Sequence, residues 1–179
     1  MKRLLLSILA LMTGLGIAQT AGSYVGEVPG SKAFIAVVVG PEGKALAYVC
    51  DGETIALWFR GRLEGGALEL LGGAGQRLQA RLDQGISGRV TLPDGRTLAF
   101  SAQGATGEAG LYRYEGSLSG TAYTGGWIVN AKGEQRGAVI GGGTLSSSVL
   151  SAKTLQAEHT ALGKLLAWRV TPEWVSKSL

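Results

Sequence analysis

The sequence predicts an all-β fold, an antiparallel meander closing into a barrel or barrel-like sandwich, with a partly irregular C-terminal extension. Three observations predict it. Apolar and polar residues alternate with period two from Tyr24 to about Ile140, the spacing of half-buried strands. Turn sequences recur between the alternating runs: Pro41-Glu42-Gly43, Asp51-Gly52, Pro93-Asp94-Gly95 and Ala131-Lys132-Gly133 each supply a residue that tolerates positive φ, as tight hairpins require. No stretch of this region holds its apolar residues at helical spacing.

Element by element, strands are expected at residues 23–28, 33–39, 44–50, 54–60, 67–71, 77–82, 88–92, 97–102, 111–118, 123–129 and 135–140. In the run Arg77-Leu78-Gln79-Ala80-Arg81-Leu82 the leucines and alanine share one face and the polar residues the other, so one face meets solvent. Gly88-Arg89-Val90-Thr91-Leu92 repeats that scheme. Residues 33–39 are apolar on both faces, which requires a cover on each side, either a second layer or the C-terminal segment. Eleven short strands joined mostly by hairpins favour closure over an open sheet with two long edges. A two-sheet sandwich is the alternative.

Gly141-Gly142-Gly143-Thr144 and the cluster Ser146-Ser147-Ser148 read as a loop or linker. Beyond them an irregular or partly helical stretch is expected to His159, then a strand over 164–170 ended by Pro172. A faint internal repeat runs through the domain. Shifting the chain by 90 positions matches Tyr24 with Tyr114, Gly26 with Gly116, Gly30 with Gly120, Val39 with Val129, Gly43 with Gly133 and Val49 with Val139, so a similar three-strand unit begins each half.

At the N-terminus, Met1-Lys2-Arg3 precedes an apolar run over residues 4–18 that stops at Gln19 and Thr20, the order of a secretory signal peptide. The run is shorter than the roughly 20 residues of a membrane span, and no basic flank follows it. Small residues at Gly16 and Ala18 favour cleavage after Ala18. The expected organisation is a signal peptide at 1–18, a β domain at 19–142, and a linker and extension at 143–179 packing on the same domain. Export places the protein in the periplasm, the cell envelope or the medium, with membrane contact only if the leader is retained.

The full chain carries 17 Lys and Arg against 13 Asp and Glu. Without Lys2 and Arg3 the excess falls to two, and the bases are scattered singly along strands, so a solvated face explains them and no nucleic-acid partner is expected. Cys50 is the only cysteine, which excludes an internal disulfide and leaves the fold to its core. It ends the apolar run Lys44-Ala45-Leu46-Ala47-Tyr48-Val49-Cys50 and reads as a small buried hydrophobe.

Catalytic chemistry finds little support. His159 is the only histidine and carries no recognisable triad partner; one His and one Cys make no zinc site; no cofactor fingerprint follows the leader. Asp51 and Asp94 precede glycine and read as turn residues, and no pair of carboxylates stands out for glycoside hydrolysis. The most distinctive segment is Leu57-Trp58-Phe59-Arg60-Gly61. Alternation sets Ile55, Leu57 and Phe59 on one face and Trp58 and Arg60 on the other, where an indole and a guanidinium can form a recognition surface. A second candidate is Trp127 behind the paired glycines Gly125 and Gly126, with Arg136 across the following turn. The competing reading makes both tryptophans core aromatics and the arginines rim residues.

The phrases Ala47-Tyr48-Val49-Cys50-Asp51-Gly52, Trp58-Phe59-Arg60-Gly61, Thr106-Gly107-Glu108-Ala109-Gly110-Leu111-Tyr112-Arg113 and Gly125-Gly126-Trp127-Ile128-Val129 resemble an uncharacterised extracytoplasmic β domain of bacteria, with similar segments in secreted or membrane-anchored actinobacterial proteins. The resemblance covers about residues 22–142. It implies an exported, non-catalytic module and brings no ligand or active site. The expected function is therefore a non-enzymatic envelope or surface module that binds a protein or a wall polymer. The alternatives are a small-ligand carrier with a pocket inside the barrel, and a secreted hydrolase or hydrolase inhibitor. A pocket floored by Trp58 or Trp127 favours the carrier; a packed interior with an exposed apolar patch favours assembly. The leader makes one direct prediction: N-terminal sequencing of the exported protein reads from Gln19, and an intact Met1 on purely cytoplasmic protein refutes it.

Overall fold

The computed structural model describes residues 21–179; the expected leader and its cleavage site lie outside the described residues. The fold is all-β. Strands β1 (Gly22–Glu27), β2 (Phe34–Val39), β3 (Lys44–Cys50), β4 (Ala56–Glu64), β5 (Ala67–Gly72), β6 (Arg77–Leu82), β7 (Ile86–Thr91) and β8 (Thr97–Gly104) run up and down as a closed antiparallel barrel. Closure is made by β8 returning to β1, in a register running from Tyr24↔Gly104 to Glu27↔Ser101.

A second sheet follows, built from β9 (Gly110–Leu118), β10 (Thr121–Val129), β11 (Gln135–Gly141), β12 (Thr144–Ser147) and, much later in the chain, β16 (Trp168–Arg169), in the order β12-β11-β10-β9-β16. Between β12 and β16 the chain forms a small three-stranded sheet from β13 (Leu150–Ser151), β14 (Gln156–His159) and β15 (Gly163–Leu166). Helix α1 (Pro172–Ser178) ends the order.

The layering explains the burial patterns. Alternate residues of β2 point to different cores. Ile35, Val37 and Val39 fill the barrel together with Phe59, Leu68 and Leu78, while Phe34, Ala36 and Val38 face the second sheet with Leu46, Tyr48, Leu111 and Ile128. All six residues of β2 are therefore buried, as the double-sided apolar run requires, and the cover includes both a second layer and α1 through Val175. A third core, around Tyr112, Trp127 and Leu165, lies between the second sheet and the three-stranded one. Among the described residues no layer packs on the outer face of β5 to β7, apart from the cleft at Leu71 and Gly72, and these strands keep the alternation that was read from the sequence.

All eleven expected strands are present, with ends moved by a few residues. Two expectations are corrected. Only eight strands enter the barrel, because β8 takes the free edge of β1 and leaves β9 no edge to join. The segment from Gly141 onward is neither linker nor irregular: Gly142 and Gly143, at φ 58° and 78°, turn the β11–β12 hairpin, and the rest supplies four more short strands and a helix. Strands of two to four residues are too short to show a period. The helix was not expected: Pro172, read as the end of a strand, sits at its first position, and the Thr171 hydroxyl accepts from Trp174 N at 3.2 Å.

The internal repeat has a structural counterpart. Phe34↔Cys50 in β2–β3 and Thr124↔Ile140 in β10–β11 are the same pairing displaced by 90 positions. The turns match bond for bond: Gly40 N to Lys44 O (2.8 Å) and Gly43 N to Gly40 O (3.0 Å) become Asn130 N to Glu134 O (2.9 Å) and Gly133 N to Asn130 O (3.0 Å). The first strands do not keep register. Tyr24 faces Val37 but Tyr114 faces Gly125, since residues 28–33 link β1 to β2 whereas only Ser119-Gly120 links β9 to β10.

Small barrels need sharp corners, and glycines on the inward face make them. A Cβ at Gly61 would stand 2.0 Å from Glu69 O, and one at Gly88 would stand 2.1 Å from Gln79 O, both on the neighbouring strand. Gly61→Ala and Gly88→Ala are each expected to lower stability by about 1–3 kcal/mol or more through overpacking. Gly104→Ala, with nothing within 4 Å, serves as the neutral control in urea unfolding.

Candidate functional site

The register of β3 and β4 pairs Tyr48 with Trp58, so both rings leave the barrel on its outer face. They stack at 4.2 Å between centroids with a 30° tilt. Opposite them stands Gly126 of β10. A Cβ there would lie 2.6 Å from the Tyr48 ring and 2.7 Å from Trp58, so the ring pair occupies the space a side chain would take. The paired glycines thus admit a close approach, and what approaches Gly126 is the protein's own β3–β4 hairpin.

Arg113 of β9 is the cross-strand partner of Gly126 and completes the cluster. Its guanidinium carbon lies 4.1 Å from the centroid of the Trp58 ring, a cation–π contact. The residue is only 4% exposed. Nε and Nη2 donate to Glu115 Oε1 at 2.9 and 2.5 Å, while Nη1 is buried without a partner among the described residues, as is the indole Nε1 of Trp58. The Tyr48 hydroxyl also makes no hydrogen bond of ordinary geometry, although the Cys50 thiol lies beside it. Burial first, and then that thiol, push the hydroxyl well above the usual tyrosine range.

Beside this cluster a cleft of about 580 Å³ opens between the barrel and the second sheet. Trp58, Arg60 and Leu71 line it from the barrel side, and Arg113, Thr124 and Ile140 from the sheet. Glycines at 72–73 and 141–143 shape the remaining wall, which leaves the mouth free of bulk. The lining carries two guanidinium groups and no carboxylate. Arg113 is paired with Glu115 behind the lining, so the unpaired positive charge is that of Arg60, and the apolar contact surface comes from the indole.

Trp58 and Arg60 therefore meet at one site, as alternation requires; Arg60 is exposed and Trp58 half-buried. The second expected pair does not assemble. Trp127 is wholly buried, on the face of the second sheet turned away from the barrel, its indole folded over Gly125 and Gly137. Arg136 pairs with Ile128 and so lies on the opposite face. There its guanidinium sits 4.5 Å from the centroid of the Phe34 ring and donates to Lys32 O at 3.1 Å and Gln135 O at 2.9 Å, tying the second sheet to the β1–β2 loop. Arg136 does line a polar depression, but the charges there are taken up internally: Lys32 pairs with Glu53 at 3.3 Å.

Two smaller expectations, for Cys50 and Asp51, are met. Cys50 is fully buried and its thiol is pushed up by desolvation, which keeps it protonated and shielded. Asp51 is a turn residue: Oδ1 accepts from the amides of Glu53, Thr54 and Ile55, all at 2.8 Å. Partial burial raises its carboxyl, and these amides outweigh that and hold it below the usual value. His159 spends Nδ1 on the amides of Ala161 and Leu162, both at 3.3 Å, within its own turn.

Arg113 is the residue that sequence reasoning missed. A trace of it was present, since Arg113 and Glu115 are two apart and share a strand face. Its burial is not local: it depends on the barrel's Trp58 in front and on β16 alongside, where Trp168 pairs with Arg113. This geometry separates two kinds of variant. Arg60→Ala is expected to change stability by under about 0.5 kcal/mol in urea unfolding, whereas Trp58→Ala is expected to cost about 3 kcal/mol or more as the ring stack and its packing are lost. Comparison with family models, curated proteins and solved structures returned no match.

Proposed function

We propose that the protein is a non-enzymatic binding module of the bacterial envelope or surface, and that the cleft at Trp58, Arg60 and Arg113 holds its ligand, a segment of wall polymer. One observation carries the reading. A cleft of about 580 Å³ presents an indole and two guanidinium groups with no carboxylate in its lining, and the buried one, Arg113, keeps a hydrogen-bonding nitrogen unspent. Aromatic and arginine side chains in a concave setting are the residues that most often dominate binding energy.

The barrel interior supports a binding site outside it, since Ile35, Val37, Phe59, Leu68, Leu78 and their neighbours fill the space that a carrier would leave open. A polymer is favoured over an obligate protein partner because the exposed large apolar residues among the described ones, Leu71, Leu118, Val149 and Leu166, are divided among separate segments of the chain. Export of the chain rests on the leader sequence.

The test is a titration of the mature chain with purified envelope polymers, followed by tryptophan fluorescence and calorimetry. Saturable binding is expected, with a fluorescence change that Trp58→Phe removes and an affinity that Arg60→Ala lowers about 30-fold, equivalent to about 2 kcal/mol. Unchanged affinity in both variants sinks the proposal.

A further inference from the structure

Beyond the cleft, the outer face of β4 to β7 carries arginines whose charges nothing in the fold uses. Arg62 pairs with Glu64 at 3.2 Å and Arg96 with Asp94 at 2.6 Å. Arg60, Arg77 and Arg89, by contrast, make no ion pair or side-chain hydrogen bond among the described residues, and Arg81, diagonal to Arg89 across Gln79, is likewise unpaired. Sheet register places the first three in order. Arg60 of β4 faces Leu71 of β5, and Leu71 faces Arg77 of β6. Arg89 of β7 faces Gln79, which puts it diagonal to Arg77.

With strands about 4.8 Å apart, Arg60 and Arg77 stand about 10 Å from each other, and Arg89 lies about 7–8 Å further on. Leu71, 60% exposed, sits in the gap between the first two as an apolar step. The row begins at the cleft, because Arg60 and Leu71 line both. Cations set in a line raise a positive potential along it that attracts anions, and their separation fits a chain with charge at intervals rather than a compact anion.

We propose that the polymer is a linear polyanion, which enters at the Trp58 cleft and runs across the barrel over Arg60, Leu71, Arg77 and Arg89. This rests on the reading of the cleft as the binding site and adds the ligand's charge and path. Acidic polysaccharides and polyol phosphates share the required chemistry. Nucleic acid fits less well: single strands are held by aromatic platforms for successive bases, and the row beyond Trp58 carries leucine and polar residues only. Glu69, two residues before Leu71 on β5, faces Arg62 and Gln79 and accepts from the Gln79 amide at 3.1 and 3.2 Å. It is the acidic group that such a chain passes, and its charge weakens binding.

The experiment compares short oligomers, which fill the cleft but cannot reach Arg89, with long chains of the same chemistry. The probes are polygalacturonate for carboxylate and poly(glycerol phosphate) for phosphate, with neutral dextran and oligothymidylate beside them. Circular dichroism of each variant first establishes that these exposed changes leave the fold intact. Arg77→Gln and Arg89→Gln are each expected to weaken long-chain binding about three- to tenfold and to flatten its salt dependence, while leaving short oligomers unaffected. Glu69→Gln is expected to strengthen long-chain binding, Arg60→Gln to weaken both lengths, and Lys153→Gln, in the turn between β13 and β14, to change neither. The path is overturned if Arg77→Gln and Arg89→Gln leave long chains unaffected, or if oligothymidylate or dextran binds as tightly as the acidic polymers. Should short oligomers still quench Trp58 fluorescence in that case, the cleft reading stands and only the path falls; if no chain of any kind binds, both fall together. The relative affinities of the carboxylate and phosphate polymers decide which source the cleft prefers.

Discussion

The missing side chain at Gly126 is the constraint on which the two-layer arrangement depends. Tyr48 and Trp58 project from the barrel and need a recess in whatever covers them, and they find it at the bare backbone of β10 at that position. Once the rings are seated there, Phe34, Ala36, Val38 and Leu46 are brought against Leu111, Ile128 and Ala138, and the outer face of β2 and β3 becomes an interior. Arg113 follows from the same contact. As the neighbour of Gly126 it is carried over the indole and out of solvent, so a charged residue is buried because a glycine is small.

The same docking creates the cleft. Two curved layers that touch at Gly126 diverge towards their ends, and the glycines at 72–73 and 141–143 keep that divergence open. The tilt and closure of the barrel, made by Gly61 and Gly88, set the curvature of one wall. Binding residues on such a site sit on strands rather than on loops, which holds Trp58, Arg60 and Arg113 in fixed relation to one another.

Much of this was legible in the residues, and the rest was not, for separable reasons. Alternation located β1 to β11 and the shared outward face of Trp58 and Arg60, because a six-residue strand displays three full periods. It was silent on where the barrel closes, since the pairing of β8 with β1 joins residues far apart in the chain and leaves no local mark. The short strands β12 to β16 show too little of any period. Trp127 and Arg136 looked like a pair because they are close in sequence, yet one falls on the outer face of β10 and the other on the inner face of β11. Arg113 looked like any strand arginine, since what covers it is contributed by β4 and β16.

The position of β16 bears on how the molecule is put together in time. A chain that emerges from its N-terminus can zip hairpin onto hairpin through β7, but the barrel shuts only when β8 has arrived, and the second sheet acquires its last edge only after residue 168. Until β9 to β11 follow, the outer face of β2 and β3, later the most thoroughly buried surface of the described residues, stands open with Phe34, Val38, Leu46 and Tyr48 in water. Such a half-finished intermediate is adhesive. The β9–β11 unit, whose hairpin copies the β2–β3 hairpin and then covers it, shortens that exposure by following directly behind β8.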